Sequence, residues 1–328
     1  MGFSQIIGHR QPLAMLCQAL SNGRLHHAYL FVGAQGVGKR TIALGVAKAL
    51  HCEIENGDFC GSCANCARIQ DDNHPDVRVI EPLAGKKEIS IQQVRELQKE
   101  LNFRSFSGKK KIAILNPATL MNLSAQNALL KTLEEPPEES LLILIASNAG
   151  ELLPTLRSRC LRLTFGPLAR HLVSGFLASR KGTKSDLADF LAAMSMGSLG
   201  TLLDIDDEKW LTRRRHWVEC LYSLRSGDYR AAMSTAELFA DSREDCSRFL
   251  EWVETWYRDV LVYRLTRDAQ NIVNIDMLSQ IQEQFAEFTL ECILSQLSET
   301  IGAVSRIQRN LNRRMVLEKL LLNAVAER

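Results

Sequence analysis

Three groups of residues in this sequence have the types and spacing to do chemistry. The first is Gly33-Ala34-Gln35-Gly36-Val37-Gly38-Lys39, a Gly-x4-Gly-Lys loop. Glycines let backbone amides turn inward around a phosphate, and a lysine at the start of the following helix adds a point charge. The next position of a working loop carries Ser or Thr, whose hydroxyl holds Mg2+. Here that position is Arg40, with Thr41 one place too late, and a guanidinium cannot coordinate a cation. The second group is Cys52-x7-Cys60-x2-Cys63-x2-Cys66. Four sulfurs can enclose one tetrahedral Zn2+ and leave no open position, which makes the site structural. Thiol-disulfide exchange through Cys-x-x-Cys is the competing reading. The third group is Arg157, Arg159 and Arg162 around Ser158 and Cys160, which taken alone reads as surface charge at a strand edge.

Flanking elements decide how much the glycine loop means. An apolar run over 28–32 precedes it, and Ile42, Ala43, Val46, Ala47 and Leu50 recur at helical spacing after it. The order strand, loop, helix favours a phosphate loop over a coincidental glycine turn. Further strands are predicted at 77–80, 111–115 and 141–146, with helices at 91–101 and 125–134 between them, and such alternation implies a parallel sheet. The strand at 111–115 is where acidic residues would hold a metal and polarise water. It runs instead into Asn116-Pro117, and no Asp or Glu lies between Lys109 and Ser124. Mg2+ is therefore not expected at this loop, and hydrolysis should be suppressed by orders of magnitude. Whether ATP or ADP still enters a cradle made of Gly33, Gly36, Gly38, Lys39 and Thr41 is left open by the residues.

Beyond Phe165-Gly166-Pro167 the strand signal ends and helical patterns take over, with breaks near Lys181-Gly182, Gly197-Ser198 and Ser226-Gly227. The expected division is 1–166, a short helical segment at 167–205, and a helical bundle at 206–328. With 40 Lys plus Arg against 38 Asp plus Glu, the chain presents no global field for a polyanion, so any DNA contact must be local. The run Lys109-Lys110-Lys111 either faces phosphates or only solubilises a strand start. No apolar stretch approaches membrane-spanning length and no leader pattern opens the sequence, so a cytoplasmic protein is expected. Cys17, Cys160, Cys220, Cys246 and Cys292 are scattered and read as buried small hydrophobes in a reducing compartment.

The block Ser124-Ala125-Gln126-Asn127-Ala128-Leu129-Leu130-Lys131-Thr132-Leu133-Glu134-Glu135-Pro136-Pro137 is far more specific than any phosphate loop. Together with Leu156-Arg157-Ser158-Arg159-Cys160, the opening Phe3-Ser4-Gln5-Ile6-Ile7-Gly8-His9 and Asn310-Leu311-Asn312-Arg313-Arg314, it resembles the bacterial clamp loader subunits of DNA polymerase III over nearly the whole chain. The resemblance implies an α/β N-terminal RecA-like AAA+ domain, a parallel sheet with flanking helices that carries a zinc module at about 52–66. An all-α lid domain and an all-α collar domain for oligomerisation would follow. It implies that Arg159, beside Ser158, acts in trans as an arginine finger on nucleotide held by a neighbouring subunit. Implied partners are the gamma/tau and delta subunits, the sliding beta clamp and primer-template DNA within the assembly. A motor subunit of the gamma/tau type would keep Thr after the loop lysine, Asp-Glu on the 111–115 strand and an arginine after the Gly-Ser of the lid. The corresponding residues here are Arg40, Asn116-Pro117 and Gly200. These departures are similar to the non-hydrolysing, stator-like branch of the family; an active gamma/tau-like ATPase is the alternative.

Overall fold

The computed structural model describes residues 2–54, 57–183, 185–203, 207–224, 227–269, 271–309 and 311–326. Ser226, Asn310 and the expected boundary at 205–206 lie outside the described residues. The chain divides into two compact units, one of residues 1–180 with 195–203 and one of 181–194 with 204–328, so the stretch 167–205 contributes to both.

In the first unit the described residues form a five-stranded parallel sheet of β1 (Ala28–Val32), β2 (Val77–Ile80), β3 (Lys111–Leu115), β4 (Ser140–Ala146) and β5 (Leu161–Thr164), in the order β2-β3-β4-β1-β5. Both faces are covered, which is why the inner strands are unbroken apolar runs rather than alternating ones. Along β1, Ala28, Leu30 and Val32 point into one core layer while Tyr29 and Phe31 point into the other. The same alternation sends Ile112 and Ile114 one way and Ala113 and Leu115 the opposite way. Helices α1 (Arg10–Ser21), α2 (Lys39–His51), α3 (Ala64–Gln70), α4 (Ile91–Asn102), α5 (Leu123–Glu134) and α6 (Pro154–Arg157) complete this unit's main frame. Ser90 and Gln93 close a capping box that starts α4, and the Asn122 side chain accepts the Ala125 amide to start α5. The short β5, Leu161-Arg162-Leu163-Thr164, alternates apolar and polar and is largely exposed; its backbone partner in the sheet is the edge of β1.

The second unit is helical. Its core is built mainly by α7 (Asp207–Ser223), α8 (Tyr229–Phe239), α9 (Arg243–Thr266), α10 (Leu290–Gln308) and α11 (Arg313–Ala326). Trp252, Trp256, Phe249, Val253, Tyr257 and Val260 of α9 lie buried at its centre, so the apolar stripe over 249–260 is core. Among the described residues no helix is long and apolar enough to cross a membrane.

One glycine ties the loop after β1 to the sheet. The Gly33 amide donates to the Ala146 carbonyl and the Phe165 amide to the Val32 carbonyl, so both neighbours are fixed. A Cβ added at Gly33 would lie 2.1 Å from the Phe165 carbonyl oxygen. Gly33→Ala is expected to destabilise the protein by about 2–4 kcal/mol, because backbone rather than a flexible side chain must move. An unchanged urea midpoint in that variant would contradict this packing.

Candidate functional site

The glycine loop leaves β1 at the carboxyl end of the sheet, where open α/β sheets hold ligands. Gly36 and Gly38 adopt left-handed backbone, with φ of 77° and 104°, which lets the loop curl back over the start of α2. Lys39 is buried and turns into the loop itself, its ammonium donating to the carbonyls of Gly33 and Ala34 at 2.5 and 2.7 Å. Burial pulls its pKa down to about 8. The backbone is also pinned from outside. His9 Nε2 donates to the Val37 carbonyl at 2.7 Å, Ser198 Oγ to the Gln35 carbonyl at 2.6 Å, and the Gly200 amide to the Gly36 carbonyl at 2.8 Å. A Cβ on Gly200 would stand 2.7 Å from the Gly36 Cα. An arginine at this position would therefore break the contact, which is a physical reason for glycine there.

The positions that would hold Mg2+ are committed elsewhere. Arg40 pairs with Asp72 at 2.7 Å and stands 3.5 Å from the Glu81 carboxylate, which also accepts from Asn116 Nδ2 at 2.9 Å. A guanidinium, a carboxylate and an amide thus link the two places where a hydroxyl and two acids would coordinate the cation. With its carboxylate taken by a guanidinium and by the N–H side of the amide, this arrangement does not fit Mg2+. Thr41, counted with the cradle from its position in the sequence, is solvent-exposed on α2. The peptide bond Asn116-Pro117 is cis.

The four clustered cysteines converge. One sulfur from each of Cys52, Cys60, Cys63 and Cys66 lies within 4.8 Å of every other, and the four could hold a metal ion. Tetrahedral coordination at about 2.3 Å places sulfurs roughly 3.8 Å apart, which is compatible with that spacing. The amides of Ser62 and Cys63 donate to Cys60 Sγ at 3.4 and 3.2 Å, and that of Cys60 to Cys52 Sγ at 3.3 Å. Donors of this kind stabilise thiolate, and they bring the Cys60 thiol down to about 6. Burial pushes Cys66 up to about 12. Among the described residues these cysteines are free of disulfides.

A second buried cluster underlies the module. His51, His74 and Asp76 bring one ligand-type atom each within 4.8 Å of one another, yet their bonding is spent on the fold. Asp76 accepts from the Phe106 and Ser107 amides at 2.8 and 2.9 Å and from the Ser107 hydroxyl at 2.7 Å. Burial would raise its pKa, and these donors outweigh burial and lower it. His51 donates from Nε2 to the Lys110 carbonyl, and burial, with His74 beside it, takes its pKa down to about 4. His74 is buried and packed against His51 with ring centroids 4.4 Å apart.

Arg159 lies at the other end of the sheet. Leu161 pairs with Tyr29 at the amino ends of β5 and β1, and Thr164 pairs with Val32 at their carboxyl ends. Arg159 precedes the first pair and the glycine loop follows the last. They are separated by the length of a strand, roughly 15 Å at 3.3 Å per residue. The Arg159 guanidinium donates to the Thr155 carbonyl at 2.8 Å and pairs with Glu134 at 2.6 Å. It lines a cleft of about 510 Å3 with His26, His27, Leu133, Ser158 and Leu161. The segment leading to it is anchored by buried Gln126, whose Oε1 accepts the Leu153 amide and whose Nε2 donates to the Met121 carbonyl. Asn127 beside it is exposed. Ser158 Oγ donates to the Thr155 carbonyl, and burial pushes Cys160 up to about 12, an inert thiol. Sequence reasoning missed Glu134, although one signal was present. A carboxylate at the carboxyl end of a helix faces the negative end of the helix dipole and needs a cation beside it. Glu81, between elements distant in sequence, carried no such signal.

Comparisons with known proteins agree along the chain. The family described as "DNA polymerase III, delta subunit" matches residues 8–169, and "DNA polymerase III, delta subunit, C terminal" matches 208–325. The DNA polymerase III subunit delta' of Bacillus subtilis (strain 168) is 30% identical over 319 residues, covering 95% of each chain. That of Escherichia coli (strain K12) is 31% identical over 323 residues, 95% of this chain and 93% of the relative. The DNA polymerase III subunit tau/gamma of Haemophilus influenzae is 28% identical over 356 residues, 99% of this chain but 49% of that protein.

Two measurements test the site. Folded Lys39 releases its proton near 8 and the unfolded lysine near 10.5. Between those values the unfolded chain binds more protons, so this residue makes stability rise with pH. Relative to Lys39→Met, the wild type should gain about 1–3 kcal/mol in urea melts between pH ~7.5 and ~10; parallel pH profiles would refute it. Elemental analysis should find one divalent ion per chain, lost with a lower melting temperature in Cys66→Ala. Metal-free protein melting like the wild type would reject a structural metal.

Proposed function

Since this chain belongs to the delta-prime family of DNA polymerase III subunits, we propose that it is the non-hydrolysing AAA+ subunit of a clamp loader and lends Arg159 to the ATP site of a neighbouring gamma/tau subunit. The observation that carries this reading is the placement of Arg159 at the sheet end opposite its own glycine loop, with its guanidinium at the rim of an open cleft. A guanidinium so placed acts on another chain's nucleotide or on none. Its planar donors suit the charge that develops on equatorial phosphate oxygens, and fingers of this kind are worth about 10³–10⁵ in rate. The missing hydroxyl and acids, with Arg40 and Asn116 tied to Glu81, support a chain that does not turn over ATP at its own loop. With Lys39 turned onto the loop carbonyls, nucleotide would first have to displace that contact.

In this reading the three-part division holds as a working scheme: a AAA+ domain over 1–166, a lid over 167–205 and a collar over 206–328 that binds gamma/tau and delta. The cysteine module takes structural Zn2+, for which four thiolates are the preferred closed set. Loading of the sliding clamp onto primer-template DNA follows when the neighbour's ATP is cleaved.

The experiment is reconstitution with gamma/tau, delta, clamp and primed DNA. Arg159→Ala is expected to leave assembly intact and to lower DNA-stimulated ATP turnover and clamp loading at least about tenfold at the site it faces. Loading at the wild-type rate would reject the finger. ATP turnover by the isolated chain, abolished by Lys39→Ala, would favour an active gamma/tau-like ATPase instead.

A further inference from the structure

The contacts of Arg159 single out a second residue, Glu134, whose role rests on the reading of Arg159 as a finger. We propose that Glu134 is the positioning residue of that finger, fixing the guanidinium so that its remaining donors face the neighbouring phosphate. Glu134 is the last residue of α5, and its carboxylate meets one terminal nitrogen of Arg159 at 2.6 Å, while the other terminal nitrogen donates to the Thr155 carbonyl at 2.8 Å. The nitrogen on Thr155 also reaches the Ser158 hydroxyl at 3.5 Å, so the fork is held at both terminal nitrogens. A guanidinium tethered this way samples fewer orientations, whereas a free arginine loses substantial rotamer freedom when it docks.

Stability does not explain the pair. The side chains are 35% and 50% exposed, and ion pairs this wet contribute little to folding. The carboxylate also faces the negative end of α5, a placement that isolated helices disfavour. Its neighbourhood is nevertheless built with care. The His27 ring donates to the Leu133 carbonyl at 3.2 Å, and Gln98 Nε2 donates to the Ala128 carbonyl and Thr132 hydroxyl at 2.8 and 2.7 Å, so the last turns of α5 are fastened from two sides. Gln126 fastens the same helix to the segment that carries Arg159. Both partners of the pair thus ride on one braced unit, as positioning requires.

The test uses the reconstituted loader with primed DNA and clamp, reading kcat and KM for ATP. Glu134→Ala is expected to lower kcat roughly 3- to 10-fold with KM for ATP nearly unchanged, because orientation in the reacting state is lost while nucleotide binding next door is not. Glu134→Gln keeps a hydrogen-bond acceptor and should fall between Glu134→Ala and wild type. Adding Glu134→Ala to Arg159→Ala should cost nothing more, since a residue that acts through Arg159 has nothing left to act on. Wild-type kcat in Glu134→Ala, or a further loss in the double variant, overturns the proposal while leaving the finger intact. Wild-type kcat in Arg159→Ala removes the finger and this inference together. If Glu134→Ala assembles poorly, Glu134→Gln decides, and there wild-type kcat is the overturning result.

Discussion

Everything at the candidate site depends on the parallel pairing of β1 with β5. A parallel ladder puts the amino ends of both strands on one side of the sheet and their carboxyl ends on the other. The glycine loop grows from the carboxyl end of β1, and Arg159 sits just before the amino end of β5. No side-chain rotation spans that separation, so phosphate chemistry at the loop and cation chemistry at Arg159 belong to different places. In this topology Arg159 cannot reach the chain's own glycine loop.

The glycine loop is held in shape by contacts within its own unit. Its curvature is kept by two left-handed glycines, and its carbonyls are taken up by Lys39, His9, Ser198 and the Gly200 amide. Arg40 and Asn116 converge on Glu81 where cation ligands would otherwise be needed. The buried ammonium and the loop carbonyls have found partners within the protein, and leaving such groups unpaired is expensive. The loop is consequently part of the framework of its unit, which accounts for a backbone packed too closely at Gly33, Gly36 and Gly200 to admit a Cβ.

The cysteine module and the cluster beneath it form a second polar framework. His51 ends the helix that begins at the loop lysine, its neighbour Cys52 joins the sulfur cluster, and Asp76 holds the turn before β3. Folding of the insertion is thereby linked to the strand that opposes it. Burial keeps the His51 imidazole neutral, whereas three donors keep the Asp76 carboxylate ionised against the same burial. Neutral histidine beside ionised aspartate is the arrangement that the hydrogen bonds require.

Local rules carried much of this protein. Apolar runs of strand length, helical spacing and glycine chemistry placed four of the strands and the helices at 91–101 and 125–134 within two residues of their observed ends. Residue type alone was enough to see that Arg40 offers a cation no acceptor and that the 111–115 strand runs into Asn116-Pro117 without a carboxylate. Cysteine spacing was likewise enough to foresee that four sulfurs could meet. Long-range geometry was not legible. The β5 strand, exposed on most of its four residues, needed the edge of β1 to exist. The turning of Lys39 into its own loop, the closure by Ser198 and Gly200, the Glu81 link and the pairing of Glu134 with Arg159 all join residues far apart in sequence, or rotamers that only packing selects. The sequence by itself determined which chemistry each residue can perform; the tertiary structure decided which residues meet and which end of the sheet they face, because those depend on strand order and burial, to which local propensity is blind.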